Sequence, residues 1–225
     1  MAGFADLRDK KNELIRKATD GSLFVAEGTA GLITSLTTYT AGPPVVIAPT
    51  PLPEGYNDVG WVTSDGFGTS RDVTNSEITS FGSTSPTRTD VVSDTTTLTG
   101  TMQETKLLTL GLATGADLAA ITADADSGEV VIKKPTRPRA KNYRGLLLVV
   151  DENESGEIYI ARFFPRLKVT NFAEQNFTSG DEAITWGVTW TAEEDSTYGA
   201  SESWLFGGPG WKAILDDMGI PNATP

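Results

Sequence analysis

Short β-type runs, broken repeatedly by turn-forming residues, are the feature that most restricts how this chain can fold. The 225 residues include 23 Gly and 12 Pro. Threonine, whose branched side chain favours pleated strands, is concentrated in residues 84–114. Many short strands with such breaks are typical of an antiparallel sandwich or barrel, not of alternating strands and helices. We therefore predict a mainly-β fold, with a β-sandwich or barrel domain over residues 21–197.

Three parts of the chain predict strands most clearly. Apolar and polar residues alternate through 183–192, which is typical of a half-buried strand. The apolar runs 143–150 and 157–164 flank the acidic segment 151–156, and we interpret them as an antiparallel hairpin with an exposed acidic tip. Residues 94–102 predict a strand with a row of hydroxyl groups on one face, formed by Thr95, Thr97, Thr99 and Thr101.

Two segments predict helices. Residues 6–19 predict a charged helix with a thin apolar stripe, within an amino-terminal helical arm over residues 1–20. So narrow an apolar face stabilises a helix little, so we expect this one to fold fully only when it docks on a partner. The leucine-rich residues 104–112 predict a short flanking helix, although a run of this length is also compatible with a strand.

Two irregular segments are suited to contacting a partner. Residues 27–59 contain five prolines around the short apolar run 45–48. So long an irregular stretch predicts either disorder or an arm that orders on a neighbour. Residues 198–225 form a carboxy-terminal extension with two Trp and one Phe in a glycine-rich stretch. These rings either dock onto another subunit or pack beneath the domain, and the sequence favours neither alternative.

The absence of both cysteine and histidine removes most catalytic and metal chemistry. Disulfides, thiolate and imidazole metal sites, thiol nucleophiles and Ser–His–Asp triads are all excluded. Acidic pairs remain in 181–182 and 193–195, but acids also gather at strand ends for solubility. Residues 124–129 resemble the start of a calcium loop without its twelfth-position ligand, and 207–210 read as a turn. We predict no catalytic activity, no cofactor and no metal site.

Charge is distributed unevenly around a net value of −12. Residues 1–17 carry five bases and three acids, and residues 133–144 carry six bases and no acids. Basic segments on an acidic body favour an acidic partner, such as another copy of the chain. A nucleic-acid arm is the less favoured interpretation of residues 133–144. We predict a subunit interface that includes Lys10, Lys11, Leu14, Ile15, Val45, Val46, Ile47, Lys133, Lys134, Arg137, Arg139, Trp204, Phe206 and Trp211.

Membrane and secretory features are absent from the sequence. No apolar run approaches the roughly 18 residues that a membrane span requires. The amino terminus also lacks the apolar region of a secretory signal. We therefore expect synthesis in a cytoplasm and no membrane insertion by this chain.

A series of motifs extends in order along most of the chain. They are Gly21-Ser22-Leu23-Phe24-Val25-Ala26 after the charged arm; Gly60-Trp61-Val62-Thr63-Ser64-Asp65-Gly66, which looks like a G-x-x-x-x-D-G turn; Ser80-Phe81-Gly82 with Pro86-Thr87-Arg88-Thr89-Asp90; Gln103-Glu104-Thr105-Lys106; and Phe206-Gly207-Gly208-Pro209-Gly210-Trp211. Together they resemble the major tail (tail tube) proteins of long, non-contractile-tailed bacteriophages, particularly those of actinobacterial phages.

The resemblance implies a structural role in a virion. It implies a β-sandwich tube domain with a flanking helix, six copies closing a hexameric ring, and rings stacking around a tape-measure protein into a hollow tube. Tail terminator and distal tail or baseplate proteins are the further partners that it implies, in a phage tail made in the host cytoplasm. Double-stranded DNA would leave through the tube without specific binding. We expect the row Thr95, Thr97, Thr99 and Thr101 to face the lumen, because neutral hydroxyls avoid the DNA affinity that basic rows create.

Three alternatives from other classes stay open at this point. A capsid or decoration subunit would also be cysteine-free, mainly β and equipped with flexible termini. A carbohydrate-binding β-sandwich module would use exposed Trp and Tyr rings as flat platforms. A glycosidase-like enzyme would need two carboxylates in one cleft, roughly 5–10 Å apart.

Overall fold

The computed structural model describes residues 3–137, 140–180 and 183–222. Two short 3-10 turns, Phe4–Leu7 and Asn12–Leu14, precede the first strand. The strands and α-helices of the described ranges are β1 (Asp20–Glu27), β2 (Thr37–Thr40), β3 (Val46–Pro49), β4 (Asn57–Asp58), β5 (Val62–Thr79), β6 (Pro86–Met102), α1 (Leu107–Thr114), β7 (Tyr143–Asn153), β8 (Gly156–Phe172), β9 (Trp186–Ala192), β10 (Ser203–Gly207) and α2 (Pro209–Ala213). Strands dominate, so the mainly-β prediction is confirmed.

The main sheet is antiparallel and divides at β8. Its strand order is β4-β1-β7-β8-β9-β6-β5, and β10 is a further partner of β8. Residues 159–163 of β8 pair with β10, whereas residues 167–172 pair with β9. The sheet therefore has a first wing of β4, β1, β7 and β10, and a second wing of β9, β6 and β5. Strands β2 and β3 form a separate two-stranded sheet.

The first wing is buried on both faces. On one face, Leu23 and Leu147 belong to a buried cluster to which α1 contributes Leu112. On the other face, Leu146 and Phe163 belong to a second buried cluster. Since both faces are covered, β7 reads as a continuous apolar run instead of an alternating one. The predicted 143–164 hairpin and the strands within 94–102 and 183–192 are confirmed.

Residues 27–59 differ from their prediction. Ile33 and Leu36 are buried in the second cluster, and Leu52 and Tyr56 pack against it. The Tyr56 hydroxyl donates a hydrogen bond to the Gly31 carbonyl at 2.9 Å. The base of this segment therefore packs on the chain's own sheet, whereas residues 38–46 at the β2–β3 tip are all exposed.

In the single chain, the amino-terminal segment does not form a continuous helix over residues 6–19. It contains two 3-10 turns, because its thin apolar stripe offers too little surface to stabilise a longer helix. Polar contacts attach it to the body instead: Lys11 Nζ lies 3.2 Å from an Asp217 carboxylate oxygen. Arg16 Nη1 lies 3.5 Å from an oxygen of Asp151. Asp151 is buried, so the predicted acidic tip of the β7–β8 hairpin is exposed only beyond this residue.

Helix α1 confirms the prediction for the leucine-rich segment. The buried Thr109 hydroxyl accepts a hydrogen bond from the Lys106 amide at 3.0 Å and donates one to the Glu104 carbonyl at 2.7 Å. The helix ends at Gly115, whose φ of +66° is in the left-handed region that favours glycine. In the described parts of the chain, no helix has both the length and the apolar composition to cross a membrane.

Candidate self-assembly surface

A long two-stranded ribbon projects from the second wing. Strands β5 and β6 pair with each other along most of their length, but β9 pairs only with Thr97–Met102 of β6. Beyond that point, residues 71–94, here called the distal ribbon, are exposed at every position. An isolated two-stranded hairpin is marginally stable in water, so the distal ribbon is the part of this fold that most lacks a packing partner.

Apolar side chains are exposed along the distal ribbon. Phe81 at its turn is fully exposed, and Val91 and Val92 are 65% and 66% exposed. Val73 and Ile78 on β5 are also exposed. Several large apolar side chains on one projecting element, without a covering layer, are typical of a protein–protein contact.

Ion pairs order the ribbon backbone. Arg71 Nε and Nη2 donate to the two oxygens of Asp94 at 2.7 and 2.5 Å, across the two strands. Hydrogen bonding and the charge of Arg71 lower the pKa of Asp94 below its ordinary value. Arg88 pairs with Asp90 within β6 at 2.7 Å. These pairs leave three exposed carboxylates of β5 without an ion pair or hydrogen bond in the described residues: Asp65, Asp72 and Glu77.

The G-x-x-x-x-D-G motif is not a turn: residues 62–66 belong to β5, whose register with β6 shifts between Val62 and Phe67. The Trp61 amide donates to Glu104 Oε1 at 2.7 Å, and this bond, followed by the contact with Lys106, lowers the pKa of Glu104. A side chain on Gly60 would collide with the Glu104 carboxylate. The Trp61 ring is 76% exposed beside a cleft of about 450 Å³ whose rim includes Asp20, Asp58 and Glu104. The motif thus presents an aromatic ring at an acidic rim.

The threonine row of β6 is part of a wider hydroxyl-bearing face. Thr97 Oγ1 lies 2.7 Å from Ser70 Oγ on β5. Thr97 and Thr99 pair in register with Thr191 and Thr189 of β9. Thr95, Thr97 and Thr101 are half-buried and Thr99 is exposed. The opposite face of the same strand is buried, so the row lies on the outer face of the second wing.

The other predicted interface residues lie at several separate places. Lys10 and Ile15 are exposed, whereas Lys11 and Leu14 are half-buried along the body. Val45 and Val46 are exposed at the β2–β3 tip, and Ile47 is half-buried beside Tyr39. Lys133, Lys134 and Arg137 are exposed in the irregular connection between α1 and β7. Arg139 lies outside the described residues.

The predicted carboxy-terminal aromatic residues form a stacked ladder. Trp204 and Phe206 stack with ring centroids 6.1 Å apart, and Phe206 and Trp211 stack at 4.6 Å. Trp204 and Phe206 remain 55% and 42% exposed. Beneath them, the buried Arg162 guanidinium lies 4.4 Å from the Trp204 ring centre and pairs with Glu202. Since the rings stack face to face, they expose edges more than the flat faces that a sugar platform needs.

The candidate acidic sites have structural partners. Glu193 forms ion pairs with Lys168 at 2.8 Å and with Arg166 at 3.1 Å. Asp124 accepts hydrogen bonds from the Ser127 amide and hydroxyl and from the Asp126 amide, which together lower its pKa. Asp181 and Glu182 lie outside the described residues. Within residues 3–137, 140–180 and 183–222, no three acidic side chains come together as a metal site would require.

Sequence analysis missed the distal ribbon. It identified 80–82 and 86–90 as motifs and 94–102 as a strand, but it did not recognise β5. The signal available was a turn-rich segment, 80–86, flanked by two polar segments of similar length that contain isolated Val and Ile. Such a pattern lacks an apolar face, so periodicity did not reveal it.

Comparisons with known proteins complete the description. Residues 10–207 match the sequence model of a family described as phage tail tube protein. None of the curated proteins matches the chain. Among solved structures, a chain described as virion of native gene transfer agent (GTA) particle aligns with 79% of this chain and 100% of its own length, at 7% identity and a TM-score of 0.29. A TM-score this low does not establish a shared fold. The family assignment therefore depends on the sequence match over residues 10–207.

Proposed function

The chain belongs to the phage tail tube protein family, and from this premise we propose that it self-assembles into stacked hexameric rings that form the DNA conduit of a phage tail. The observation that carries the proposal is the distal ribbon, with its exposed Phe81, Val91 and Val92. Copies that bury these side chains against one another remove apolar surface from water, at about 25 cal/mol per Å². They also cover free strand edges.

The second wing supplies a surface suited to a conduit. Its outer face carries the hydroxyls of Thr95, Thr97, Thr99 and Thr101, with Ser70 and Thr191 beside them. A hydroxyl face does not release counterions from DNA as rows of Lys and Arg would, so DNA passes without being held. We propose this face as the lumen.

Two smaller exposed apolar features are suited to contacts between rings. They are the β2–β3 tip, with Val45 and Val46, and the aromatic ladder, with Trp204 and Phe206. The β2–β3 tip belongs to the separate two-stranded sheet, and the aromatic ladder lies on β10 and α2. We propose that these contacts stack the rings around a tape-measure protein, in a virion tail completed by terminator and distal tail proteins.

The family match favours this role over a decoration subunit or a carbohydrate-binding module. A tube subunit acts by assembly, so the proposed role is structural and not catalytic. Electron microscopy of the purified, concentrated protein tests it directly. We expect hollow tubes with a regular axial repeat, and particles that never progress beyond single subunits under nucleating conditions would contradict the proposal.

A substitution on the distal ribbon tests the surface itself. Val91→Asp places a charge where we expect an apolar contact, so it should prevent tube formation and leave the melting temperature of unassembled protein unchanged. Ser196→Asp adds the same charge to the exposed turn between β9 and β10 and should still form tubes. If Val91→Asp and Ser196→Asp assemble equally well, the distal ribbon is not the contact surface.

A further inference from the structure

The connection between α1 and β7 contains a strand-forming segment that has no sheet. Residues Val130, Val131 and Ile132 are consecutive β-branched residues, a composition that favours pleated strands. Val130 and Val131 are 48% and 62% exposed. Nevertheless, residues 130–137 form no hydrogen bond or ion pair within the described residues. Their backbone donors and acceptors are therefore available to another strand.

A free strand edge is present elsewhere in the same chain. Strand β5 ends the sheet order: it pairs with β6 at Val62 and over residues 67–79, and its other side has no strand in the described residues. An exposed edge of this length is a template for pairing with another chain, and folded proteins usually cover or block such edges.

The two surfaces carry opposite, unpaired charge. Strand β5 has Asp65, Asp72 and Glu77 free of ion pairs, whereas the acids of β6 are paired with Arg71 and Arg88. The irregular segment has three cations that are exposed and equally free of ion pairs: Lys133, Lys134 and Arg137. Attraction between them would align a strand that enters alongside β5, and its strength would fall with salt.

We propose that residues 130–134 add as a strand to the free edge of β5 in a neighbouring copy of the chain. This contact rests on the tube assembly proposed above and specifies one of its interfaces. Main-chain hydrogen bonds provide the affinity in such strand addition, and the charged residues set its position. Within a single copy, residues 130–134 and the outer edge of β5 have no strand partner in the described residues, so the second copy supplies the missing partner for each.

Cysteine pairing tests the contact without background, because the chain has no cysteine of its own. One batch carries Val131→Cys, and three others carry Thr69→Cys, Val73→Cys or Asn75→Cys along β5. Batches are mixed, assembled, oxidised and digested, and mixed disulfides are identified by mass spectrometry. We expect Val131→Cys to form a disulfide with at least one β5 position in tubes, well above the control Ala123→Cys in the same connection.

The outcomes separate this contact from the assembly itself. Tubes in which Val131→Cys gives no more β5 disulfide than Ala123→Cys would overturn the strand addition and leave the tube proposal standing. Failure of the wild-type chain to form tubes would overturn both. A disulfide above control in tubes, absent from unassembled protein, would support both.

A backbone test complements the cysteine pairs. Val131→Pro removes an amide donor and restricts the backbone, so strand pairing there is lost. The segment makes no hydrogen bond or ion pair in the described residues, so the melting temperature should change little. We expect the concentration needed for assembly to rise about tenfold or more. The matched control Ala123→Pro, whose amide also lacks a hydrogen bond in the described residues, should assemble like wild type; equal behaviour of the two variants would overturn the proposal.

Discussion

Strand β6 has two halves with opposite environments, although one continuous backbone forms both. In the half next to β9, Leu98 and Met102 are fully buried and Thr96 is nearly so. In the half that belongs to the distal ribbon, residues 86–94 are all exposed, including Val91 and Val92. Both halves pair with β5, so backbone hydrogen bonding does not distinguish them. The halves differ in what covers them. Strand β9 and the core cover one half, and we propose that another copy of the chain covers the other.

The largest expected difference between the halves is in side-chain truncation. Leu98→Ala should lower the free energy of unfolding by about 2–5 kcal/mol, because it removes buried methyl groups and leaves a cavity. Val92→Ala should change it by no more than about 0.5 kcal/mol, as an exposed site does. Urea denaturation of unassembled protein measures both. Similar losses would mean that the distal ribbon is already packed within one copy.

Ion pairs should show the same contrast. Arg162 is buried and pairs with Glu202, which also accepts a hydrogen bond from Thr96 of β6. Glu202→Ala should cost about 3 kcal/mol, because it leaves a buried guanidinium without its counter-charge. The exposed Arg71–Asp94 pair of the ribbon is screened by water, so Asp94→Ala should leave the urea midpoint unchanged. A midpoint shift for Asp94→Ala as large as that for Glu202→Ala would show that the ribbon ion pair stabilises the single chain as much as the buried pair does.

The irregular start of β5 should be more sensitive to substitution at Gly60 than at Gly66. Gly60 has a φ of +82° and faces the Glu104 carboxylate. Gly60→Ala should therefore cost about 2 kcal/mol through strain and displacement of Glu104. Gly66 has a φ of +67° with open space around it, so Gly66→Ala should cost about 1 kcal/mol. Thermal melts of the two variants give the order, and a reversed order would contradict this role for Glu104.

The smallest effect concerns Tyr56, which attaches the 27–59 segment to the first wing. Tyr56→Phe should cost about 1 kcal/mol at neutral pH, through loss of the hydrogen bond to Gly31. Burial raises the pKa of Tyr56 from 10.0 to about 12. The native state therefore favours the protonated phenol, whose contribution to stability is complete below pH 10 and is lost as the pH rises towards 12.

Stability measured between pH 9 and 12 tests this sign. The wild-type chain should lose stability across that range more steeply than Tyr56→Phe, which has no phenol to ionise at this position. Tyr159, whose pKa burial and Glu157 also raise to about 12, titrates in both proteins and serves as the common background. Identical slopes would show that Tyr56 ionises freely in the native state.

The sequence predicted those elements whose apolar residues recur with the period of a buried strand or helix. Alternation through 183–192 identified β9, and the two apolar runs identified the β7–β8 hairpin, because packing on a sheet requires those periods. The leucine-rich segment identified α1 for a similar reason. In the single chain, the charged 6–19 segment forms two 3-10 turns and the base of the Pro-rich 27–59 segment packs on the sheet. Neither a thin apolar stripe nor a proline count indicates which surface of the body is available to receive a segment.

By itself, then, the sequence determined a mainly-β, cysteine-free and histidine-free chain with its basic residues concentrated in two segments. These properties depend on composition and local period. Only the tertiary structure decided that β8 divides the sheet between β10 and β9 and that residues 71–94 extend beyond the last supporting strand. It also decided that residues 130–132 have no strand partner among the described residues. Those outcomes depend on which strands find partners and which do not, and pairing across long sequence separations leaves no local pattern in the chain.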